Sequence, residues 1–335
     1  MIINPVLESA EFIHNHSKHV SIPENGINHG AAKIFEAMKK THYDTSKVDI
    51  DDTGVPHPER YRVTLDGVGY TGYWSMVAAV NRALREGIPI TTPEFFASEE
   101  KLPDSEIERI FRSDTKEQIP LLKERIRILR EAGKVLVEKF NGNFTNCIAQ
   151  ADGSALKLVQ IITSNFPSFR DEAEFCGRKV QIFKRAQILI ADIWACFQNQ
   201  GYGAFKDIDE ITMFADYRVP QALYHFHCLQ YSPELLAILD RGEMLPYGSP
   251  LEVEIRGNSI WSVELIRRRI LELIDDELVA KQEDSSDAKK EMPKMMTVNA
   301  ILIDFFIWDF AKAAQLDLTL GQRPVKVHRT RSIYY

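Results

Sequence analysis

The sequence predicts a mainly α-helical fold that contains one small β-hairpin. Two observations lead to this prediction. Apolar residues recur at helical spacing through most of the chain, and the alternation typical of strands appears clearly only once. The chain of 335 residues is 44% hydrophobic and 27% charged, which excludes wholesale disorder and is sufficient for a large apolar core. Because we find no internal repeat and no sharp shift in composition, we expect a single domain over residues 1–335.

The N-terminal half contains clear start and stop signals. Asn4 precedes a first helix, Asn25 is a suitable N-cap for a second, and the polar residues 41–58 indicate an irregular loop. Arg60–Leu65 and Val68–Tyr73 flank an Asp-Gly dipeptide, which predicts the hairpin. Further helices are expected to begin near Trp74, Pro103 and Pro120.

The C-terminal half is more apolar. Val180–Phe197 is hydrophobic nearly all round, which is typical of a helix buried in the centre of a domain. The Gly- and Pro-rich residues 242–257 predict a connection, and residues 282–295 predict a flexible surface loop. The remaining predicted helices are Val219–Leu229, Ser259–Leu278 and Asn299–Leu316.

Charge and cysteine content limit the classes of partner. The chain has 41 basic and 48 acidic residues, so its formal net charge of −7 argues against binding to nucleic acids or to anionic membranes. No stretch approaches the roughly 20 uninterrupted apolar residues of a membrane span, and the N-terminus does not resemble a secretory signal. The four cysteines form no CxxC pair, and we interpret them as reduced core thiols of a soluble, cytoplasmic protein: Cys147, Cys176, Cys196 and Cys228.

Lys184 is placed at the end of an apolar helical row formed with Ile188, Ala191 and Ala195. One interpretation is that its aliphatic stem carries the ammonium out to solvent. The other is that it faces an internal site, where it would need a carboxylate or a phosphate as partner.

Two carboxylates interrupt the otherwise apolar last helix. Asp304 and Asp309 stand among isoleucine, phenylalanine and tryptophan residues, and Phe305 shares a face with Asp309. Either the carboxylates pair with arginines, or they accept hydrogen bonds from a ligand that carries N–H groups and a positive charge.

Asp216 precedes a helix that has Pro220 in its first turn. Its simplest role is to cap that helix, but Phe214 and Tyr217 would give a pocket around the carboxylate an aromatic lining. The sequence has no Walker loop, GxGxxG, HExxH or GxSxG motif, which argues against the common nucleotide-binding, zinc-protease and esterase classes. His225 and His227 are two residues apart, a spacing unsuited to one metal on a helix, so we expect no metal.

Several long segments resemble the queuosine salvage family, whose members are queuosine-5'-phosphate N-glycosidases that release the base queuine. They run in the family's order from about residue 60 to the C-terminus, with a weaker match over residues 1–40: GYTGYWSMVAAVNRALREGIPIT, FKRAQILIADIW, ITMFADYRVPQAL, EVEIRGNSIWSVELI, ILIDFFIWDFA and HRTRSIYY. The resemblance implies a helical fold like that of the helix-hairpin-helix DNA glycosylases, with Gly242–Glu264 as the hairpin region.

The same resemblance implies a set of site residues. Asp216 matches the catalytic aspartate, and the substrate-binding positions fall on Lys184, Phe214, Asp304, Phe305 and Asp309. The implied reaction is hydrolysis of queuosine 5'-phosphate to queuine and ribose 5-phosphate, without cofactor or metal, with a small molecule rather than nucleic acid or membrane as direct partner. The sequence makes no prediction of oligomeric state.

One departure from the family pattern lies between Lys47 and Val48. Family members usually carry a Trp- and His-containing stretch there, followed by a segment like VDxLNFSFW. Without this apolar wall we expect a more open base pocket and weak or absent turnover. The missing segment suggests one alternative to the hydrolase, a non-catalytic homologue that binds queuine or a protein partner. A second alternative is a helix-hairpin-helix protein that acts on nucleic acid, although the net charge of −7 counts against it.

Overall fold

The computed structural model describes residues 4–41, 43–44, 61–284, 297–316 and 325–335. In chain order the elements are α1 (Pro5–His16), β1 (Val20–Ser21), α2 (Glu24–Thr41), β2 (Val63–Leu65), β3 (Val68–Tyr70), α3 (Gly72–Arg85), α4 (Pro93–Phe96), α5 (Asp104–Ile110), α6 (Leu122–Phe140), α7 (Thr145–Ala151), α8 (Ala155–Asn165), β4 (Glu172–Phe175), β5 (Arg178–Gln181), α9 (Lys184–Cys196), α10 (Arg218–His225), β6 (Gln230–Tyr231), α11 (Pro233–Arg241), α12 (Pro250–Asp284) and α13 (Ala300–Leu316).

Helices dominate this fold, so the mainly α-helical prediction is confirmed. The strands pair only as short antiparallel couples, β1 with β6, β2 with β3, and β4 with β5. The chain divides into a larger compact unit, which comprises Met1–Val48, Gly153–Gln160 and Phe169–Tyr335, and a smaller one, which comprises Asp49–Asp152 and Ile161–Ser168. The single domain over residues 1–335 stays a prediction, and the loops expected at 41–58 and 282–295 fall almost entirely outside the described residues.

In the smaller unit the predicted hairpin is confirmed, but its second strand ends at Tyr70 and not at Tyr73, because α3 already begins at Gly72. Asp66 and Gly67 have φ values of 54° and 81°, as the tight turn between β2 and β3 requires. Helix α3 packs against β2 and α5, and α6 packs against α4 and α5. In the described part of the chain, no helix combines the length and apolar character needed to cross a bilayer.

Helix α12 is the central element of the larger unit. It has 35 residues, so it is about 50 Å long, and it contacts α1, α2, α10 and α13. The predicted connection over residues 242–257 is therefore wrong in its second half: the helix begins at Pro250, because a proline in the first turn lacks only an N–H that would be unpaired there anyway. Gly257 thus lies inside the helix, at the contact with α1.

The expected buried helix Val180–Phe197 also needs correction. Its first residues belong to β5, because Cys176 and Gly177, with φ values of 47° and 74°, turn the chain back from β4. The helix itself starts at Lys184, after Phe183 in a left-handed conformation.

Smaller corrections concern a cap and the cysteines. Asn4 caps α1 as predicted, its Oδ1 accepting the N–H of Val6 at 2.9 Å, but Asn25 lies one residue inside α2 instead of capping it. Cys147 and Cys228 are buried core thiols, whereas Cys176 and Cys196 are exposed, contrary to the prediction for all four.

Gly257→Ala should destabilise the larger unit although alanine favours helices. An added Cβ would lie 2.5 Å from Cγ2 of Ile13, so we expect the free energy of unfolding to fall by about 1–3 kcal/mol in chemical denaturation. Combining it with Ile13→Ala, which removes Cγ2 and Cδ1 and leaves only the Cβ of residue 13 close, should cost less than the sum of the two single changes. Strict additivity would contradict this close approach.

Candidate active site

Asp216 caps helix α10, as its position in the sequence predicted. Its Oδ1 accepts the N–H groups of Arg218 at 2.8 Å and Val219 at 2.9 Å. The residue is partly exposed, and desolvation by the surrounding protein raises the pKa of its carboxyl, while Lys184 and the two N–H donors oppose that shift. The carboxylate is therefore held in one orientation at the entrance of the helix.

Lys184 is buried, so the interpretation in which its stem reaches solvent is wrong. Burial lowers the pKa of its ammonium, and attraction by Asp216 opposes this. In the described part of the chain the ammonium forms no direct ion pair within 4.0 Å, so it attracts Asp216 across a gap. Its Nζ lies 5.5 Å from the centre of the Tyr335 ring.

Helix α13 approaches the segment before Asp216. Oδ2 of the buried Asp304 accepts the N–H of Phe214 at 3.0 Å, and the rings of Phe214 and Phe305 lie 5.9 Å apart at an angle of 54°. Burial first, and then the neighbouring Asp216, raise the pKa of Asp304 well above its usual value. Of the two interpretations, pairing with an arginine is not what the described residues show for Asp304, whose hydrogen-bond partner there is a backbone N–H.

Asp309 lies further along α13. Its Oδ2 accepts the hydroxyl of Tyr43 at 2.6 Å, and the Tyr43 ring meets Phe306 edge-on with ring centres 5.4 Å apart. Asp309 is close enough to raise the pKa of Asp304 through repulsion. The structure thus brings Asp304, Phe305 and Asp309 together with Phe214, Asp216 and Lys184. Tyr217, expected in the aromatic lining, is exposed.

A buried ion pair lies beneath these residues, and sequence reasoning missed it. The guanidinium of Arg256 donates to both carboxylate oxygens of Asp171 at 3.0 and 2.5 Å, to Glu252 at 3.3 Å, and through Nε to the carbonyl of Ala215 at 3.1 Å. The segment EVEIRGNSIW and the i, i+4 spacing of Glu252 and Arg256 were available as signals. No local pattern marked Asp171.

Tyr335 closes this network from the segment HRTRSIYY. Its hydroxyl donates to Glu252 at 2.6 Å and lies 3.0 Å from Nε2 of His328, while its ring faces Arg256 at 5.1 Å. Burial, with Arg256 and Lys184 nearby, lowers the pKa of His328 to about 3, so its imidazole stays neutral.

The arrangement has three chemical capacities. A fixed carboxylate can stabilise developing positive charge, a buried ammonium can bind an anion, and two tilted aromatic rings can contact a planar base. The described residues contain no group of three or more His, Cys, Asp or Glu side chains able to hold a metal ion.

Comparison with known proteins identifies the family. The sequence model described as "Queuosine salvage protein" matches residues 51–335. The chain belongs to this family. Proteins named queuosine 5'-phosphate N-glycosylase/hydrolase are similar to it: one from Mus musculus is 41% identical and covers 98% of each chain, and one from Schizosaccharomyces pombe is 44% identical and covers 87% of this chain and 78% of its own.

A bacterial relative with the same name, from Sphaerobacter thermophilus, is 41% identical over 82% of this chain and 76% of its own. The alignment with the mouse protein extends over 351 residues, more than the 335 residues of this family member. The mouse relative therefore carries residues that have no counterpart here.

Asp304→Asn should increase stability at neutral and alkaline pH. A raised pKa means that the native carboxyl keeps its proton to higher pH than the unfolded one, so wild-type stability falls as pH rises above about 4. Asparagine keeps an acceptor for the Phe214 N–H but does not titrate. The stability advantage of the variant should therefore be near zero at about pH 4 and grow towards pH 8, by about 1.4 kcal/mol per unit of pKa shift. Urea titrations at several pH values measure this, and a pH-independent difference would contradict it.

Proposed function

We propose that this chain hydrolyses the N-glycosidic bond of queuosine 5'-phosphate, releasing queuine and ribose 5-phosphate. The observation that carries this proposal is the convergence of Lys184, Asp216 and Asp304 at two aromatic rings. Those residues lie in the segments shared with the family, whose curated members bear the name of this activity. Queuine would then be available for salvage into tRNA.

Asp216 is the proposed catalytic residue. Breaking the bond between ribose and base develops positive charge on the sugar, and a carboxylate held beneath the anomeric carbon stabilises that charge or attacks the carbon. Two backbone N–H groups fix its Oδ1, so the orientation costs no reorganisation during the reaction. Water adds to the sugar carbon, and the base departs with a proton.

The base is proposed to lie against Phe214 and Phe305. Queuine is a 7-deazaguanine, so its ring position 7 cannot be protonated, and the site must stabilise the departing base through its other polar edges. N1–H and the exocyclic amine are donors that a carboxylate accepts, and the secondary ammonium of the cyclopentene-diol arm suits a second carboxylate. Asp304 and Asp309 are proposed for these two tasks.

Lys184 is proposed either to bind the 5'-phosphate or to orient Asp216, since its ammonium attracts Asp216 without contact. Arg185 and Arg218 are weaker candidates for the phosphate. The reaction requires no cofactor in this scheme. A cytoplasmic location and a small-molecule partner, rather than nucleic acid or membrane, complete the proposal.

Helix α11, the turn over residues 242–249 and helix α12 are proposed as the counterpart of the helix-hairpin-helix element. Two helices joined by a short Gly- and Pro-containing turn favour this likeness. The hairpin is then shorter than the Gly242–Glu264 region expected from the sequence, because residues 250–264 are helical.

Asp216→Asn should retain the fold and lose most turnover, by about 10²-fold or more, because the amide still accepts the capping N–H groups but carries no charge. Release of free queuine from queuosine 5'-phosphate, measured by chromatography, tests this.

The matched control for Asp216→Asn is Asp207→Asn. Asp207 likewise accepts backbone N–H groups at a helix start, those of Ala155 and Leu156 in α8. This control should keep its turnover. Near-normal activity of Asp216→Asn would remove Asp216 from the mechanism. Stabilisation of the wild type by queuine without any turnover would instead indicate a non-catalytic binding protein.

Inserting the family's aromatic segment between Lys47 and Val48 should increase turnover. Apart from Tyr43, which packs against Phe306, residues 41–58 are mainly polar and cannot supply the apolar wall that excludes water from the base pocket, so each electrostatic contact there is weakened. An insertion of equal length composed of Gly and Ser is the control. Fast turnover of the 335-residue chain, unchanged by the aromatic insertion, would show that the segment is dispensable.

A further inference from the structure

Arg256 contacts two segments that the proposed reaction depends on. Its Nε donates to the carbonyl of Ala215, the residue directly before Asp216. Its two terminal nitrogens hold Asp171, and Oδ2 of Asp171 accepts the backbone N–H of Lys184, the first residue of α9. One guanidinium is therefore bonded directly to the segment of Asp216 and through Asp171 to that of Lys184.

We propose that Arg256, acting through Asp171 and Ala215, is the positioning residue that sets the distance between Lys184 and Asp216. This inference rests on the proposed function, in which those two groups act on the substrate. Arg256 itself is fully buried, with 0% of its surface exposed, so it acts through other residues and is not a catalytic residue.

The shape of the guanidinium explains why arginine occupies this position. Its N–H groups are rigidly planar and point in several directions, so one side chain can reach both oxygens of a carboxylate and a carbonyl at once. A lysine would keep the charge but lose the bidentate geometry and the Nε–H. The hydroxyl of Tyr247 lies 3.0 Å from Oδ1 of Asp171, the oxygen that also accepts from Arg256, and 2.9 Å from the carbonyl of Glu172, so it is a second donor that restrains the carboxylate.

The ring of Tyr335 adds a second constraint. It faces both Arg256, at 5.1 Å, and Lys184, at 5.5 Å, and its hydroxyl is held by Glu252. Two like charges near one buried point repel each other, and the aromatic face favours both cations. Lys184 is thus held at two points: Asp171 accepts its backbone N–H, and the ring of Tyr335 faces its ammonium.

The test is Arg256→Lys in the full chain. We expect kcat for queuosine 5'-phosphate to fall by about tenfold or more, because small displacements of catalytic groups are costly. Affinity for queuine alone, measured by calorimetry, should change by less than about threefold, because Asp304, Phe305 and Asp309 lie on α13 and Phe214 is also held from that helix, through Asp304. If Arg256 only stabilised the fold, both kcat and the apparent affinity for queuine would fall in proportion to the fraction of folded protein.

The matched control is Arg267→Lys. Arg267 is on the same helix and pairs with Glu264, so it undergoes the same chemical change away from Lys184 and Asp216. It should retain kcat within about twofold. A second variant, Tyr247→Phe, covers the case in which Arg256→Lys does not fold. It removes one hydrogen bond to Asp171 without leaving a charge unpaired, so kcat should fall by about two- to fivefold while the affinity for queuine stays the same.

Hydrogen exchange gives a readout that needs no activity. The amides of Lys184, Arg218 and Val219 bond to Asp171 and Asp216, so they should lose protection in Arg256→Lys while amides near Arg267 keep theirs. If the wild-type protein shows no turnover, that result contradicts the proposed function but not the positioning role of Arg256. The hydrogen-exchange measurement would still test that role. Unchanged kcat together with unchanged protection at these three amides would overturn it.

Discussion

The ion pair between Arg256 and Asp171 is the constraint on which the site depends. Both side chains are completely removed from solvent, and taking two charges out of water is expensive unless every donor and acceptor is used. Here the requirement is met by Glu252, Tyr247 and the carbonyl of Ala215. Removing one partner of such a pair typically costs about 3–5 kcal/mol, so the segments that meet at it cannot move independently.

Burial and electrostatic attraction have opposite effects on the ionisation of Lys184, Asp216 and Asp304. Burial favours the neutral forms of Lys184, Asp216 and Asp304, while attraction between Lys184 and Asp216 favours their charged forms. Repulsion between the two carboxylates means that ionisation of one raises the pKa of the other. The pKa of Asp304 is raised further by repulsion from Asp216, whereas the ammonium of Lys184 opposes the rise in the pKa of Asp216.

Helix α12 makes this arrangement possible because it carries polar residues inside the larger unit. Arg256 and Glu252 support the site on one side, and Glu254 accepts the N–H groups of residues 18–20 on another. Gly257, which has no side chain, lets Ile13 of α1 pack directly against the backbone of α12. A helix that is buried on several sides can hold charged side chains only when each finds a partner, and the partners come from segments far apart in the chain.

The sequence by itself determined the local features, which are most of the helices, the Asp-Gly hairpin and the cap at Asn4. It also singled out Lys184, Asp216 and Asp304 as candidate site residues. These follow from spacing and from charge among apolar neighbours, which are properties of short segments. Only the tertiary structure decided that Val180 belongs to a strand, that α12 begins at Pro250, and that Arg256 pairs with Asp171, 85 residues away. An apolar run fits either a helix or a strand, and a buried charge has many possible partners in sequence. Packing in three dimensions selects one of them because a buried charge is stable only where its partners meet it, as Arg256 and Asp171 do here.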